Sequence, residues 1–154
     1  MTKAITVMMV ILAMGVVNAE ENIPTSELPA AVAAAVKTTC PDGTIHEVEM
    51  EKKDGKVEYE VELMVGKKSC DLKIAADGTV LEIEKQMDLS ELPEAVQNTI
   101  ALFEGAEIEK IEQVQEDGAT SYEVVVELDD EEFELELSKD GKILEMESDD
   151  NDKD

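Results

Sequence analysis

Residues 57–65 read Val57-Glu58-Tyr59-Glu60-Val61-Glu62-Leu63-Met64-Val65, and this stretch decides the fold. Apolar and polar side chains alternate along it with a period of two, which is typical of a β-strand with one buried face and one wet face. We therefore expect an antiparallel sheet. Its apolar side carries the core, and its opposite side carries a ladder of glutamates exposed to solvent.

The same alternation recurs on both sides of this stretch. Asp-Gly pairs stand between the alternating segments, where a tight hairpin turn requires a positive φ. The first strand of each half alternates less regularly than the three strands after it. Together these patterns predict strands at 45–50, 57–65, 70–74, 81–84, 108–114, 122–128, 133–137 and 144–146.

Two Leu-Pro pairs mark the starts of helices. Pro29 and Pro93 have a φ that is already set for a first helical turn, and the residue before each proline is pushed toward extended geometry. Apolar residues then follow at helical spacing. This pattern predicts one helix over 30–39 and a second over 94–102.

The chain also contains an internal repeat. The segment SELPAAV at 26–32 returns as SELPEAV at 90–96, and later Asp-Gly and Tyr-Glu-Val segments return 63 residues on. We interpret this as a tandem duplication in which a helix and four antiparallel strands occur twice, at 26–88 and 89–148. Because a half of this size buries too little surface to be stable alone, we expect one α+β protein. Its helices pack on one sheet face, and its two sheets join edge to edge or share a core.

The N-terminus has the pattern of a secretory signal peptide. Lys3 precedes an apolar run of 14 residues, which is too short to span a bilayer, and Val17-Asn18-Ala19 offers a cleavage site. We predict cleavage after Ala19, with residues 1–19 removed and no membrane insertion afterwards. The mature chain is then periplasmic or secreted, and it has a linker at 20–25 and an acidic tail at 149–154.

Charge excludes two classes of partner. The chain carries 39 Asp and Glu against 13 Lys and Arg together, none of them Arg, for a formal net charge of -26. A surface this negative repels phosphate backbones and has no basic stripe, so nucleic-acid binding is not expected. Anionic membrane surfaces are disfavoured for the same reason.

The two cysteines fall at positions that a shared fold of the two halves brings together. Cys40 closes the first helix and Cys70 lies in the inward register of a strand. The corresponding positions of the second half are apolar: Leu102, beside Phe103, and Phe133. In an oxidising compartment we expect a Cys40–Cys70 disulfide, and two buried free thiols are the alternative. A redox catalyst is not expected, because the spacing is not Cys-x-x-Cys.

The combined pattern resembles a known family. The Leu-Pro helix start, the Tyr-Glu-Val strand and the Asp-Gly-x-x-Leu hairpin, in an exported tandem layout, are similar to those of the PepSY-like periplasmic proteins. Their fold is similar to that of the β-lactamase inhibitor protein. The resemblance covers roughly Ser26 to Glu147. It implies a non-enzymatic exported protein, with inhibition of peptidases or other extracytoplasmic enzymes proposed for the wider group, and no catalytic residues.

The residues themselves also argue against an enzyme. His46 is the only imidazole, and no nucleophile-elbow pattern surrounds any serine. Glutamates in a flat solvated ladder lack the burial that raises the pKa of a catalytic acid. A zinc site would need His46 with carboxylates and no thiolates, which we do not expect. We expect no cofactor other than weakly bound calcium.

The outward register is the candidate partner-binding face. Tyr59 and Tyr122 fall in the inward register, so the outward face lacks the aromatic anchors that supply much interface energy. We predict a binding or inhibitory module that engages an unknown protein with a basic surface. Its candidate residues are Glu58, Glu60, Glu62, Glu123, Glu127, Glu134 and Glu136.

Cation binding is the alternative function. Exported proteins meet millimolar calcium, and calcium prefers oxygen ligands. The acidic tail begins like a calcium loop, but the chain ends before the turn glycine and the bidentate glutamate that an EF-hand needs. The sequence therefore predicts only weak sites, with candidate ligands Asp129, Asp130, Asp150 and Asp152.

Overall fold

A computed structural model describes residues 19–53, 55–129 and 131–148. Within these ranges the strands form one antiparallel sheet of nine strands, each paired with its neighbours in the chain. The alternating segments are therefore strands, as predicted. The strands are β1 (Ala19–Asn22), β2 (Thr44–Lys53), β3 (Lys56–Val65), β4 (Lys68–Ala75), β5 (Val80–Gln86), β6 (Glu107–Glu116), β7 (Ala119–Leu128), β8 (Glu131–Ser138) and β9 (Ile143–Ser148).

Two helices follow the Leu-Pro pairs. Helix α1 (Ala30–Thr39) has the predicted bounds, and helix α2 (Glu94–Ile100) begins at the predicted residue. The prediction that α2 reaches residue 102 is wrong. After Ile100 the backbone N–H groups of Leu102 and Phe103 donate to carbonyls three residues back, and these tighter turns end the helix. Neither helix in the described ranges is long and apolar enough to cross a membrane.

The helices cover one face of the sheet. Val32 and Val36 of α1 and Val96 and Ile100 of α2 are buried there. Around the helices lie two hydrophobic clusters, one on β2 to β4 and one on β6 to β8. Both tyrosines lie in these clusters, so their predicted inward register is confirmed. The sheet residues buried in the clusters are Val48, Tyr59, Val61, Leu63, Cys70, Leu72, Ile74, Ile111, Tyr122, Val124, Val126, Leu135 and Leu137.

The two groups of strands join edge to edge. Residues 82–86 of β5 pair with residues 112–116 of β6, so β2 to β9 form one uninterrupted surface. Of the two arrangements that the sequence left open, the structure has the joined edge, and the hydrophobic clusters on either side of it are distinct.

The segment 20–25 is not a linker. Strand β1 pairs with β2, with Glu20 opposite Glu51, and a short 3-10 helix begins at Thr25. The partly buried side chain of Ile23 packs against the first hydrophobic cluster, and its N–H donates to the carbonyl of Val48. These contacts hold the segment against the sheet. Because the segment is mostly polar, its sequence pattern does not predict them. The predicted signal peptide before Ala19 lies outside the described residues.

A β-bulge in β6 explains the irregular pattern of this strand. Ile108 pairs with Val126 and Lys110 with Val125, so the register shifts between Ile108 and Lys110. The extra residue turns Ile108 toward the core side and Lys110 toward the opposite side. A similar shift lies between Ile45 and Glu47 of β2. Strict alternation therefore fails at both strands that follow a helix.

The turn between β4 and β5 packs against α1. Gly78 in this turn has φ +90°, and a Cβ placed on it would lie 2.8 Å from the carbonyl oxygen of Ala31. The turn thus needs glycine for two reasons, because the backbone conformation disfavours other residues and because the helix backbone occupies the space of a side chain. Gly118 between β6 and β7 has φ +78° with nothing within 4 Å of such a Cβ.

We expect Gly78→Ala to destabilise the protein more than Gly118→Ala. The positive φ costs about 1–2 kcal/mol at either position. Only at Gly78 does the new methyl group meet backbone, which adds about 1–3 kcal/mol of overpacking strain. Urea denaturation of both variants measures the difference, and equal losses would contradict the close packing of this turn on α1.

The predicted Cys40–Cys70 disulfide is present, and the described residues include no free cysteine. It ties the end of α1 to β4 inside the first hydrophobic cluster. In the second half, Phe103 and Phe133 pack against the corresponding cluster, whereas Leu102 is 77% exposed. The apolar counterpart of Cys40 is therefore Phe103, because α2 ends early and turns Leu102 outward.

The double variant Cys40→Ala/Cys70→Ala should lose about 3–4 kcal/mol of unfolding free energy, as expected for a bridge that closes a loop of this length. Denaturant melts without reductant measure the loss. Reductant should destabilise the wild type by a similar amount and leave the double variant unchanged. A thiol assay that finds two free thiols in the unreduced, denatured protein would contradict the bridge.

Candidate binding face and its buried carboxylates

The face of the sheet opposite the helices carries carboxylates on every strand from β2 to β9. Directly paired residues of neighbouring strands project to the same face, so the register defines the set. All seven glutamates predicted to face outward belong to it. We name as the acidic face Glu47, Glu49, Glu51, Glu58, Glu60, Glu62, Asp71, Glu82, Glu84, Glu107, Glu112, Glu116, Glu123, Glu127, Glu132, Glu134, Glu136, Glu145 and Glu147.

Lys73 lies on the acidic face at β4. Its Nζ is 3.1 Å from a carboxylate oxygen of Glu60, 3.8 Å from one of Glu51 and 3.9 Å from one of Glu58. Glu51 is buried, with 8% of its surface exposed. This lysine therefore offsets part of the repulsion among carboxylates of β2 and β3.

Lys110 forms the second ion pair of the face. Its Nζ lies 2.8 Å from Oε2 of Glu112 on the same strand. Glu112 is 2% exposed, which is rare for a carboxylate unless it is paired. Its other oxygen, Oε1, is buried and has no hydrogen-bond partner among the described residues.

Glu112 belongs to a cluster of three carboxylates from neighbouring strands. Asp71 of β4 is paired with Glu84 of β5, and Glu84 is paired with Val114 of β6, two residues from Glu112 on the same strand. One carboxylate oxygen of each of the three lies within 4.8 Å of the others. We name Asp71, Glu84 and Glu112 the central carboxylate cluster, since it lies where β5 joins β6.

Crowding and burial raise the pKa values of carboxyl groups at this place. Burial, followed by the charges of Glu112 and Glu62, raises the pKa of Asp71 to about 6. Burial and a hydrogen bond with the side chain of Glu82 raise the pKa of Glu84 to about 9. The prediction of a uniformly solvated ladder is therefore wrong at its centre, where neighbouring side chains on adjacent strands exclude water.

Burial and nearby negative charges also raise the pKa values of carboxyl groups on β7 and β8. Burial, followed by the charge of Glu134, raises the pKa of Glu123 to about 7. Burial and the charge of Glu147 raise the pKa of Glu134 above its ordinary value. Glu60, Glu62 and Glu127 are exposed, as predicted. The other four residues of the predicted face, Glu58, Glu123, Glu134 and Glu136, are half-buried.

Sequence reasoning missed the centre of the face for an identifiable reason. The bulge in β6 breaks the alternation, so the side on which Glu112 lies cannot be read from the pattern. The sequence nevertheless contains a signal that could have located the buried carboxylates. Lys110 is a cation within a strand rich in glutamate, Lys73 is paired with Glu60 of the neighbouring strand, and each lysine lies beside a buried carboxylate.

The cation ligands predicted from sequence lie elsewhere. Asp129 is exposed, with φ +54°, in the turn before β8. Asp130, Asp150 and Asp152 lie outside the described residues. The described ranges contain one further cluster of potential ligands, His46 with Glu47 and Glu62, in which His46 and Glu62 are exposed.

Fold and face together define a class of protein. It is an α+β protein whose single antiparallel sheet bears helices on one side and an acidic face on the other. The chain belongs to the family described as "Putative beta-lactamase-inhibitor-like, PepSY-like", whose profile matches residues 16–82 and 58–145. The resemblance to this family seen in the sequence is confirmed.

Solved structures from Bacteroides share the fold. A "putative periplasmic" protein of Bacteroides eggerthii is 16% identical, with a TM-score of 0.66 over 78% of this chain and 88% of that one. A BLIP-like protein of Bacteroides fragilis is 21% identical, with a TM-score of 0.62 over 80% and 88%. A DUF2874 family protein of Bacteroides ovatus is 16% identical, with a TM-score of 0.64 over 80% and 91%. No curated protein matches this chain.

The raised pKa values predict how stability depends on pH. Carboxyl groups whose folded-state pKa is raised keep protons that the unfolded chain releases, so their contribution is present at low pH and lost as pH rises through about 6, 7 and 9. With EDTA present, we expect the unfolding free energy to fall from pH 5 to pH 9, by at most about 1.4 kcal/mol per pH unit for each proton. Urea denaturation at successive pH values measures the fall.

Two variants make this test specific. Glu84→Gln removes one titrating group from the centre, so its stability should fall less with pH than that of the wild type. Glu127→Gln removes an exposed carboxylate of the same face and should leave the slope unchanged. A wild-type unfolding free energy that rises between pH 5 and pH 9 would contradict this explanation.

Proposed function

We propose that this chain is an exported, non-enzymatic binding or inhibitory module that engages a basic partner protein through the acidic face. The observation that carries the proposal is the placement of carboxylates on one face across eight strands, with Lys73 and Lys110 beside buried members of the set. Such a surface attracts a partner of opposite charge and orients it during encounter.

The electrostatics of the face support this role. Burial and mutual repulsion raise the pKa values of its central carboxyl groups, so ionisation there is unfavourable in the isolated protein. Lysine or arginine side chains of a partner would lower that repulsion. Part of the binding free energy would therefore come from relief of the carboxylate repulsion that is already present in the free protein.

The absence of aromatic anchors limits the kind of partner. Tyr59 and Tyr122 are buried on the helix side, and Phe103 and Phe133 pack against the second hydrophobic cluster. Binding would then rest on charge, with strong salt dependence, more than on apolar hot spots. We accordingly propose a peptidase-inhibitor-like or other enzyme-inhibitor-like role and not inhibition of a β-lactamase.

A non-enzymatic role agrees with the side chains that are present. Both cysteines are in the disulfide, so the described chain has no thiol nucleophile. The only histidine, His46, is exposed on β2 beside two carboxylates. The family described as beta-lactamase-inhibitor-like adds to this support.

Export and duplication complete the proposal. We propose a periplasmic or secreted location with cleavage after Ala19, supported by the leader pattern and by the similar protein of Bacteroides eggerthii, which is described as "putative periplasmic". We also propose that the chain arose by tandem duplication. Each helix precedes four strands, and the family profile matches the chain twice.

Affinity capture from an extracytoplasmic fraction at low and high salt tests the function. We expect a basic protein to be retained by the wild type at low ionic strength and released at high ionic strength. The variant Glu60→Gln/Glu62→Gln/Glu127→Gln, which removes three exposed charges of the face, should bind that protein about tenfold more weakly, since exposed charge pairs contribute about 0.2–1 kcal/mol each.

A matched variant separates the face from overall charge. Glu27→Gln/Glu94→Gln/Glu104→Gln removes the same charge from exposed positions near the helices and should bind as the wild type does. Equal weakening in both triple variants, or no captured protein at either salt concentration, would refute binding through the acidic face.

A further inference from the structure

The carboxylate of Glu112 has an oxygen that the described protein leaves without a partner. The side chain is 3% exposed, and Oε2 accepts from Lys110 while Oε1 has no hydrogen-bond partner. A buried, unpartnered carboxylate oxygen is costly, because it has left water without gaining a replacement. Such a group in a native fold calls for an explanation, of which a bound ion is one.

The side chains around Glu112 are also acidic. One carboxylate oxygen each of Asp71, Glu84 and Glu112 lies within 4.8 Å of the others. We propose that Asp71, Glu84 and Glu112 bind one divalent cation, calcium, at the junction of β4, β5 and β6.

The distances fit calcium. Calcium lies 2.3–2.6 Å from its oxygen ligands, so two oxygens on one ion are at most about 5 Å apart. The oxygens of the central carboxylate cluster meet this limit pairwise. Three carboxylates provide three to six of the six to eight ligands that calcium takes, and water supplies the rest.

The charges around the cluster also favour a cation. Lys110 faces it from β6, whereas carboxylates face it from β3, β5 and β7, namely Glu62, Glu82 and Glu123. One lysine therefore stands against three ligand carboxylates and further acidic neighbours. A divalent ion would offset this excess, and Lys110 would hold Glu112 so that Oε1 is free to coordinate.

The ligand atoms of the cluster favour a particular class of ion, and the cluster is accessible from solvent. All three ligands are carboxylates, which are preferred by calcium and magnesium, and no sulfur or imidazole is among them. Asp71 and Glu84 are half-buried, so ions and water reach the cluster from the open face. The site is separate from Asp129, the one described residue among the cation ligands expected from sequence.

Calorimetric titration of the purified chain with calcium chloride tests the site, with sodium chloride of equal ionic strength as the reference. We expect saturable binding of one ion per chain. The variant Glu112→Gln should bind at least tenfold more weakly, and Asp71→Asn should do the same. Circular dichroism of both variants shows whether each is folded, and either folded variant suffices for the comparison.

Glu136→Gln is the matched control. Glu136 is half-buried on the same face but lies outside the central carboxylate cluster, so this variant should keep the wild-type affinity within about twofold. Heat that does not saturate in the wild type would overturn the site, as would wild-type affinity in both ligand variants or an equal loss in Glu136→Gln. Because no partner protein is present, failure here leaves the proposed function untouched.

Discussion

The pairing of β5 with β6 is the interaction on which the rest of the structure depends. Two distinct hydrophobic clusters lie on either side of it, and the ladder between residues 82–86 and 112–116 makes their strands one sheet. This ladder also makes the acidic face continuous. It brings Glu84 beside Glu112, so the most crowded carboxylates lie at the join itself.

The two faces of this sheet contribute to the free energy of folding with opposite sign. On the helix side, buried aliphatic side chains supply most of the favourable free energy of folding. On the other side the same strands expose like charges at cross-strand spacing, where they repel. Lys73 and Lys110 offset part of this repulsion, and in the ion-free protein the raised pKa of Glu84 lets its carboxyl group keep a proton, which offsets more. The apolar clusters and the disulfide therefore sustain a face that is unfavourable by itself, and a positively charged ligand would relieve it.

How far the sequence predicts this protein depends on the range of the interactions involved. Strand β3 and the start of each helix follow from alternation and from proline, which act within a few residues. Strand β1 depends on pairing with β2, and the end of α2 depends on turns that the chain makes beyond Ile100. The buried Glu112 depends on a bulge and on three neighbouring strands, so no local pattern reveals it.

By itself, the sequence determined the α+β class, the inward tyrosines, the cysteine pair and the side of the sheet on which most glutamates lie. Period and spacing suffice for these, because they set which side chains share a face. Only the tertiary structure decided which carboxylates lose water, which lysine pairs with which glutamate, and that Asp71, Glu84 and Glu112 meet. The physical reason is that burial and charge proximity depend on the register between strands, and register is a property of the assembled sheet.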